Sequence, residues 1–318
     1  MDRNEAKQLI QGPIAVVPTP FDDNLDVDYG LMAELTQWWV ESGVVTGKGV
    51  IKVASQAGEG EKLRESEWIQ LLETVVNASG GRATIMGAIH HRDTVRAIED
   101  AKKAQDVGVV GLQISPPIFN SPTQEDNLRF YEAVSNAIDI GVMIYNTPWW
   151  PYGGMTPETF RRMVDFEGIA AIKWSPLEGY VYEDIFDLAE TFNIIDNSVQ
   201  PVLNHKLGGR GYVQTVTAEY PPFDLRVWEL MEEGSYDEAQ SLYESVVPPI
   251  RAFDHRVLST SGHRGGSKEI MALMGRPVGM HRPPAEPLDA AERAELRQLI
   301  ASFGWPLAEK TQAAGTVA

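Results

Sequence analysis

The chain has 318 residues, with 27 basic against 45 acidic side chains and a formal net charge of −18. That balance argues against nucleic acid or an anionic membrane as a partner, since both call for a basic surface. It contains no cysteine, which excludes disulfides, iron–sulfur clusters, cysteine zinc sites and cysteine nucleophiles.

The segment Met1 to Ile10 is polar and charged, without the apolar core of a signal peptide. No run approaches the eighteen or so apolar residues of a membrane span. The cytoplasm is the expected compartment. Short apolar runs then recur along the chain. They are Ile14–Pro20, Gly49–Ser55, Ala83–Ile89, Val109–Ser115, Gly141–Thr147, Ile169–Ser175, Asn193–Ser198 and Gly211–Thr215. Near-continuous apolar runs of this length fit strands covered on both faces, as in parallel sheets.

The spacers are helical. Asp28–Ser42 carries Leu31, Leu35, Trp38 and Trp39, and Glu65–Asn77 carries Trp68, Leu71, Leu72 and Val75. Asp93 caps a helix that runs to Val107, and Thr156-Pro157 is a helix start. Gly43, Gly108 and Gly168 close helices before the next strand. Strand and helix alternating eight times, with no nucleotide fingerprint, predict a (β/α)8 TIM barrel over residues 1–222. Phe223–Glu233, Tyr236–Phe253 and Leu288–Phe303 predict a helical appendage over 223–305, packed on the barrel. Ser259–His263 reads as a loop, and 306–318 as a flexible tail.

Active sites of such barrels lie at the C-terminal ends of the strands. Lys173 stands out there. It lies between Ile172 and Trp174, where a lysine is costly unless paired or neutral. Desolvation lowers its pKa, so the free amine can attack a carbonyl. Lys52 is the other lysine in a strand-like run, and the chain has only ten lysines against seventeen arginines. Tyr145 closes the preceding strand, about 5 Å away, and a phenol there can relay protons. By residue type alone, Lys173 could equally be a snorkelling strand-end lysine and Tyr145 a core tyrosine.

These residues resemble the Schiff-base-forming aldolases and lyases that include dihydrodipicolinate synthase and N-acetylneuraminate lyase. The resemblance rests on Gly12–Phe21, Gly58-Glu59, Pro117–Pro122, Tyr145-Asn-Thr-Pro148, Ile172-Lys173 and Gly208-Gly-Arg-Gly211, in that family's order, over residues 12–303. It implies Lys173 as the Schiff-base lysine, Tyr145 as the proton relay, Val213 as a backbone position lining the 2-oxo acid pocket, and a homotetramer built as a dimer of dimers, or a homodimer. The family's usual Gly-Thr-Thr-Gly-Glu is here Ser55-Gln56-Ala57-Gly58-Glu59, without either threonine hydroxyl. Gln56 and the N–H groups of Ala57 and Gly58 are the donors left for a carboxylate. Phe119 stands where the synthase has a relay tyrosine, and Trp150, after Trp149, where it has a carboxylate-binding arginine.

With Trp174 and Phe119, the tryptophans point to an apolar or aromatic reaction partner, the alternative being that they pack a loop or a subunit interface. The expected activity is therefore a class I lyase: an aldolase or hydratase-aldolase acting on pyruvate or a bulky pyruvate adduct, with an aldehyde as second partner, and not dihydrodipicolinate synthase itself. A dehydratase of a sugar-derived 2-oxo acid is the alternative chemistry. A catalytically weak binding barrel is the alternative of another class. No cofactor beyond the lysine imine is implied. Of His90 and His91, adjacent after the third strand, one can face the pocket as an acid or base, and His90 is the candidate. The remaining histidines lack metal-ligand spacing, so no metal is expected. Glu59 is read as a structural group, orienting its loop or pairing with Arg64.

Overall fold

The computed structural model describes residues 1–261 and 266–309. Strands β1 (Gly12–Val16), β2 (Val50–Lys52), β3 (Thr84–Ile89), β4 (Gly111–Ile114), β5 (Gly141–Tyr145), β6 (Ile169–Trp174), β7 (Asn193–Asp196) and β8 (Gly211–Gln214) match the eight apolar runs read from the sequence, all lying within their runs except β1, which starts two residues before its own. They pair in parallel in chain order, and β8 returns to β1 to close the barrel. The fold is a (β/α)8 TIM barrel with a C-terminal helical region.

The helices are α1 (Arg3–Leu9), α2 (Tyr29–Glu41), α3 (Glu65–Ser79), α4 (Thr94–Asp106), α5 (Gln124–Ser135), α6 (Pro157–Arg161), α7 (Pro201–Lys206), α8 (Val216–Glu219), α9 (Pro221–Glu232), α10 (Tyr236–Ser261), α11 (Gly266–Leu273) and α12 (Ala290–Ser302). Asp28, Asp93 and Thr156 cap α2, α4 and α6 by accepting backbone N–H bonds in the first turn. Gly43 and Gly108 follow their helices at positive φ, which glycine adopts without strain. Gly168 has a different reason: a Cβ there would lie 2.7 Å from the Ser135 carbonyl oxygen.

Side chains alternate across each strand, so one set fills the barrel and the other packs under the helices. Ile14, Val50, Met86, Met143, Ala171 and Ile195 form an apolar floor inside the barrel, joined by Ala6 and Ile10. Those last two come from the segment of α1, which closes the N-terminal end. The polar look of residues 1–10 hid this helix, because only its Ala6 is buried.

Helices α9, α10 and α12 share a second apolar cluster with Tyr212 and Val216 of the barrel. The expected boundary at 222/223 falls inside α9, which starts at Pro221. α10 continues through Ser261, so the start of the expected loop is helical; Gly262 and His263 lie outside the described residues. The expected tail also starts too early. The Ala308 N–H donates to the Leu273 carbonyl at 3.0 Å, and Arg297 donates to the Ala308 carbonyl at 3.1 Å. Residues 310–318 lie outside the described residues. No described helix is long and apolar enough to cross a membrane.

Candidate active site

Tyr145 ends β5, Lys173 is the last residue but one of β6, and the two pair directly in the β5–β6 register. Each is 5 % exposed. The Lys173 Nζ sits 3.6 Å above the centre of the Tyr145 ring. Burial, and then the positive charge of Lys52, hold the Lys173 amine well below the usual lysine range. That shift favours the neutral amine, which is the nucleophilic form. Burial, and then Glu61, push the Tyr145 phenol upward, so it keeps its proton.

A cavity of about 370 Å³ opens above this pair. Lys52, Ser55, Gln56, Ala57, Gln113 and Val213 also line it. Gly58 does not. Its carbonyl accepts a 2.7 Å bond from the Thr19 hydroxyl, and a Cβ there would meet the Val17 carbonyl oxygen at 2.6 Å, so Gly58 serves the turn. The mouth carries Val247, Ile250, Arg251, Asp254 and His255, all from α10.

A second cleft of about 620 Å³ adjoins the first and shares Tyr145, Asn197 and Arg251 with it. Trp149 lines this cleft, 5.9 Å from the Tyr145 ring. Trp150 stands edge-on to His91 at 4.7 Å and to the Tyr145 ring at 6.5 Å. Phe119 also packs on His91, at 5.7 Å, is 81 % exposed, and borders a separate hollow instead of the lysine cavity. Trp174 faces out of the barrel. It is fully buried, packs against Phe160, and donates to the Tyr182 carbonyl at 2.9 Å, so it belongs to the core and not to the pocket. His90 faces inward against the Tyr145 ring at 6.1 Å. Burial, followed by His91 and Lys173, lowers its pKa to about 3, so it is a neutral ring and not an acid–base group near neutral pH.

The loop carrying Ser55–Ala57 is fastened through Glu59. The Glu59 carboxylate pairs with Lys268 of α11 at 2.6 Å and with Lys62 at 2.9 Å. Arg64, the partner expected from the sequence, bonds Asp26 and Glu67 instead. Burial raises the Glu59 pKa, but the two lysines outweigh it and hold the group below the ordinary carboxylate range. Removing one member of a buried pair strands the other charge. Glu59→Ala is expected to destabilise the fold by about 3 kcal/mol, read as a lower urea midpoint at unchanged slope. A midpoint equal to that of the unaltered chain would show that the pair carries no net stability.

Sequence reading missed Gln113 and the α10 contributors. The last have no local signal, because only tertiary packing lays α10 over the barrel mouth. Gln113 had one: a polar residue two before Ser115 in a run otherwise covered on both faces. Among the described residues no group of three His, Asp or Glu side chains is placed to hold a metal ion.

Residues 9–303 match the model of the dihydrodipicolinate synthetase family. The 4-hydroxy-tetrahydrodipicolinate synthase of Heliobacterium modesticaldum is 31 % identical over 295 residues, covering 92 % of this chain and 95 % of that protein. That of Methanococcus vannielii is 25 % identical over 296 residues, covering 93 % and 99 %. Among solved structures, the dihydrodipicolinate synthase of Cyanidioschyzon merolae with lysine bound superposes with a TM-score of 0.80 at 25 % identity, covering 93 % of this chain and 99 % of that one. The putative dihydrodipicolinate synthetase of Pseudomonas aeruginosa gives 0.81 at 20 % identity, covering 92 % and 99 %.

Proposed function

This chain belongs to the dihydrodipicolinate synthetase family, and on that footing we propose that it is a class I lyase that bonds a 2-oxo acid to Lys173. The observation that carries the reading is the buried Lys173 amine, its pKa lowered by burial, held 3.6 Å over the Tyr145 ring and lining a cavity. The nitrogen lone pair adds to the ketone carbon, and a proton moves from nitrogen to oxygen. Loss of that oxygen as water then leaves a protonated imine. The imine draws electrons from the adjacent carbon, so a carbon–carbon or carbon–oxygen bond there can form or break without an organic cofactor. Tyr145, which stays protonated, supplies and recovers the proton at the leaving oxygen.

The second cleft favours a bulky partner. Trp149 gives it an aromatic wall, and Arg251, at the junction of both spaces, gives it a cation. An aldolase or hydratase-aldolase on an aromatic pyruvate adduct fits this wall better than dihydrodipicolinate formation. Trp150 replaces the carboxylate-binding arginine implied by the resemblance, and Phe119 cannot relay a proton. A dehydratase of a sugar-derived 2-oxo acid would use the same lysine and leave the tryptophan without a task. The exposed Phe119 and Tyr152 are available to a second copy in a homodimer or homotetramer. The acidic, cysteine-free composition suits the cytoplasm.

Cyanoborohydride trapping with a panel of 2-oxo acids, followed by peptide mass spectrometry, tests the reading. A reduced adduct on Lys173 is the expected result, and no adduct with any acid would leave a binding barrel. Trp149→Ala is expected to weaken an aromatic 2-oxo acid roughly tenfold while leaving pyruvate labelling within about twofold. Equal losses for both acids would assign the tryptophan to packing.

A further inference from the structure

Lys52 has no task in the mechanism above. It lies two residues beyond Val50, a member of the barrel floor, so it too points into the barrel. It is fully buried. Its Nζ reaches past β3 and donates to Gln113 Oε1 on β4 at 2.7 Å. Among the described residues it makes no ion pair and no other hydrogen bond. An ammonium carries three donors, and a buried cation without a counter-charge is costly. Burial lowers its pKa to about 7, so near neutrality much of it is still charged.

Two neighbouring polar groups are also unsatisfied. The Gln113 oxygen faces the lysine, which leaves its Nε2 buried without a partner. The Ser55 hydroxyl is buried without a partner too. All three residues line the same cavity as Lys173. One cation and two neutral polar groups make a polar corner, and the one carboxylate lining the same cavity, Asp254 of α10, forms no ion pair with Lys52.

We infer that Lys52, Gln113 and Ser55 bind the carboxylate of the 2-oxo acid whose carbonyl meets Lys173. The assignment rests on the Schiff-base reading and answers what holds the carboxylate where the threonine pair is missing. A carboxylate there accepts from the Lys52 ammonium, the Gln113 amide and the Ser55 hydroxyl, and neutralises a charge that the empty site leaves unpaired. It also fixes the ketone carbon toward Lys173, because the two groups are adjacent in the acid.

The test uses the full chain and two probes, pyruvate and hydroxyacetone, a ketone without a carboxylate. Lys52→Met keeps the volume and removes the buried charge. It is expected to raise the half-saturating pyruvate concentration for trapping at Lys173 roughly 10- to 100-fold, and to change hydroxyacetone by less than about threefold. Gln113→Leu and Ser55→Ala are expected to shift pyruvate in the same direction by smaller factors, and they decide the question if Lys52→Met does not fold. Unchanged pyruvate half-saturation would overturn the assignment. So would equal shifts for both probes, since the charge would then act on the reactivity of Lys173 and not on a carboxylate. Absence of any Lys173 adduct in the unaltered chain is a separate result. It would overturn the Schiff-base reading itself, and this assignment with it.

Discussion

Lys173→Met is expected to lower turnover by about 10⁴-fold or more and to abolish reductive labelling with pyruvate, while the protein unfolds at no lower temperature than the unaltered chain. Methionine keeps nearly the volume of lysine and needs no hydrogen-bond partner, so a site that is 5 % exposed accepts it readily. Only the nucleophile is lost. The pH dependence of labelling in the unaltered chain supplies an independent check. Because the Lys173 pKa is held well below its usual value, the labelling rate falls less steeply as pH drops from about 9 to about 7 than an ordinary lysine's would. An ordinary lysine would lose roughly tenfold per pH unit over that range. A label that persists in Lys173→Met and maps to Lys52 would move the chemistry to the other buried lysine.

Tyr145→Phe is expected to lower kcat by about 10²- to 10³-fold and to leave the pyruvate concentration that half-saturates labelling within about threefold. Phenylalanine retains the ring on which the Lys173 amine rests and the contacts to Trp149 and His90. It removes the hydroxyl alone, and with it the proton donor. The split matters, because a merely structural tyrosine would move both quantities together. Retained turnover in Tyr145→Phe would assign the proton to water.

The barrel was legible because each strand is covered on both faces and therefore reads as an unbroken apolar run. The lysine and tyrosine were legible because polar groups in such runs are exceptions. Helix α1 was not, since one buried alanine in a short charged segment gives no periodicity. The aromatic residues were read by type, and type does not give direction. Trp149 and Trp150 are neighbours, yet one faces the cleft and the other packs on His91. Trp174 follows Lys173 on the same strand, and alternation alone sends it to the opposite face. Glu59 was read as structural with Arg64 as its partner, and of the two lysines it pairs with, Lys268 is about two hundred residues away in the chain, beyond any local pattern.

The sealing of the lower barrel by Ala6 and Ile10 sets the traffic of the reaction. With that end blocked, the Lys173 cavity is reached from the opposite end, beside α10. On the proposed Schiff-base reading, in the direction of bond formation, a ketone bonded to Lys173 would enter this cavity before a second partner fills the adjoining cleft. In that direction, an excess of the second reactant would obstruct the reaction by occupying the shared entrance first.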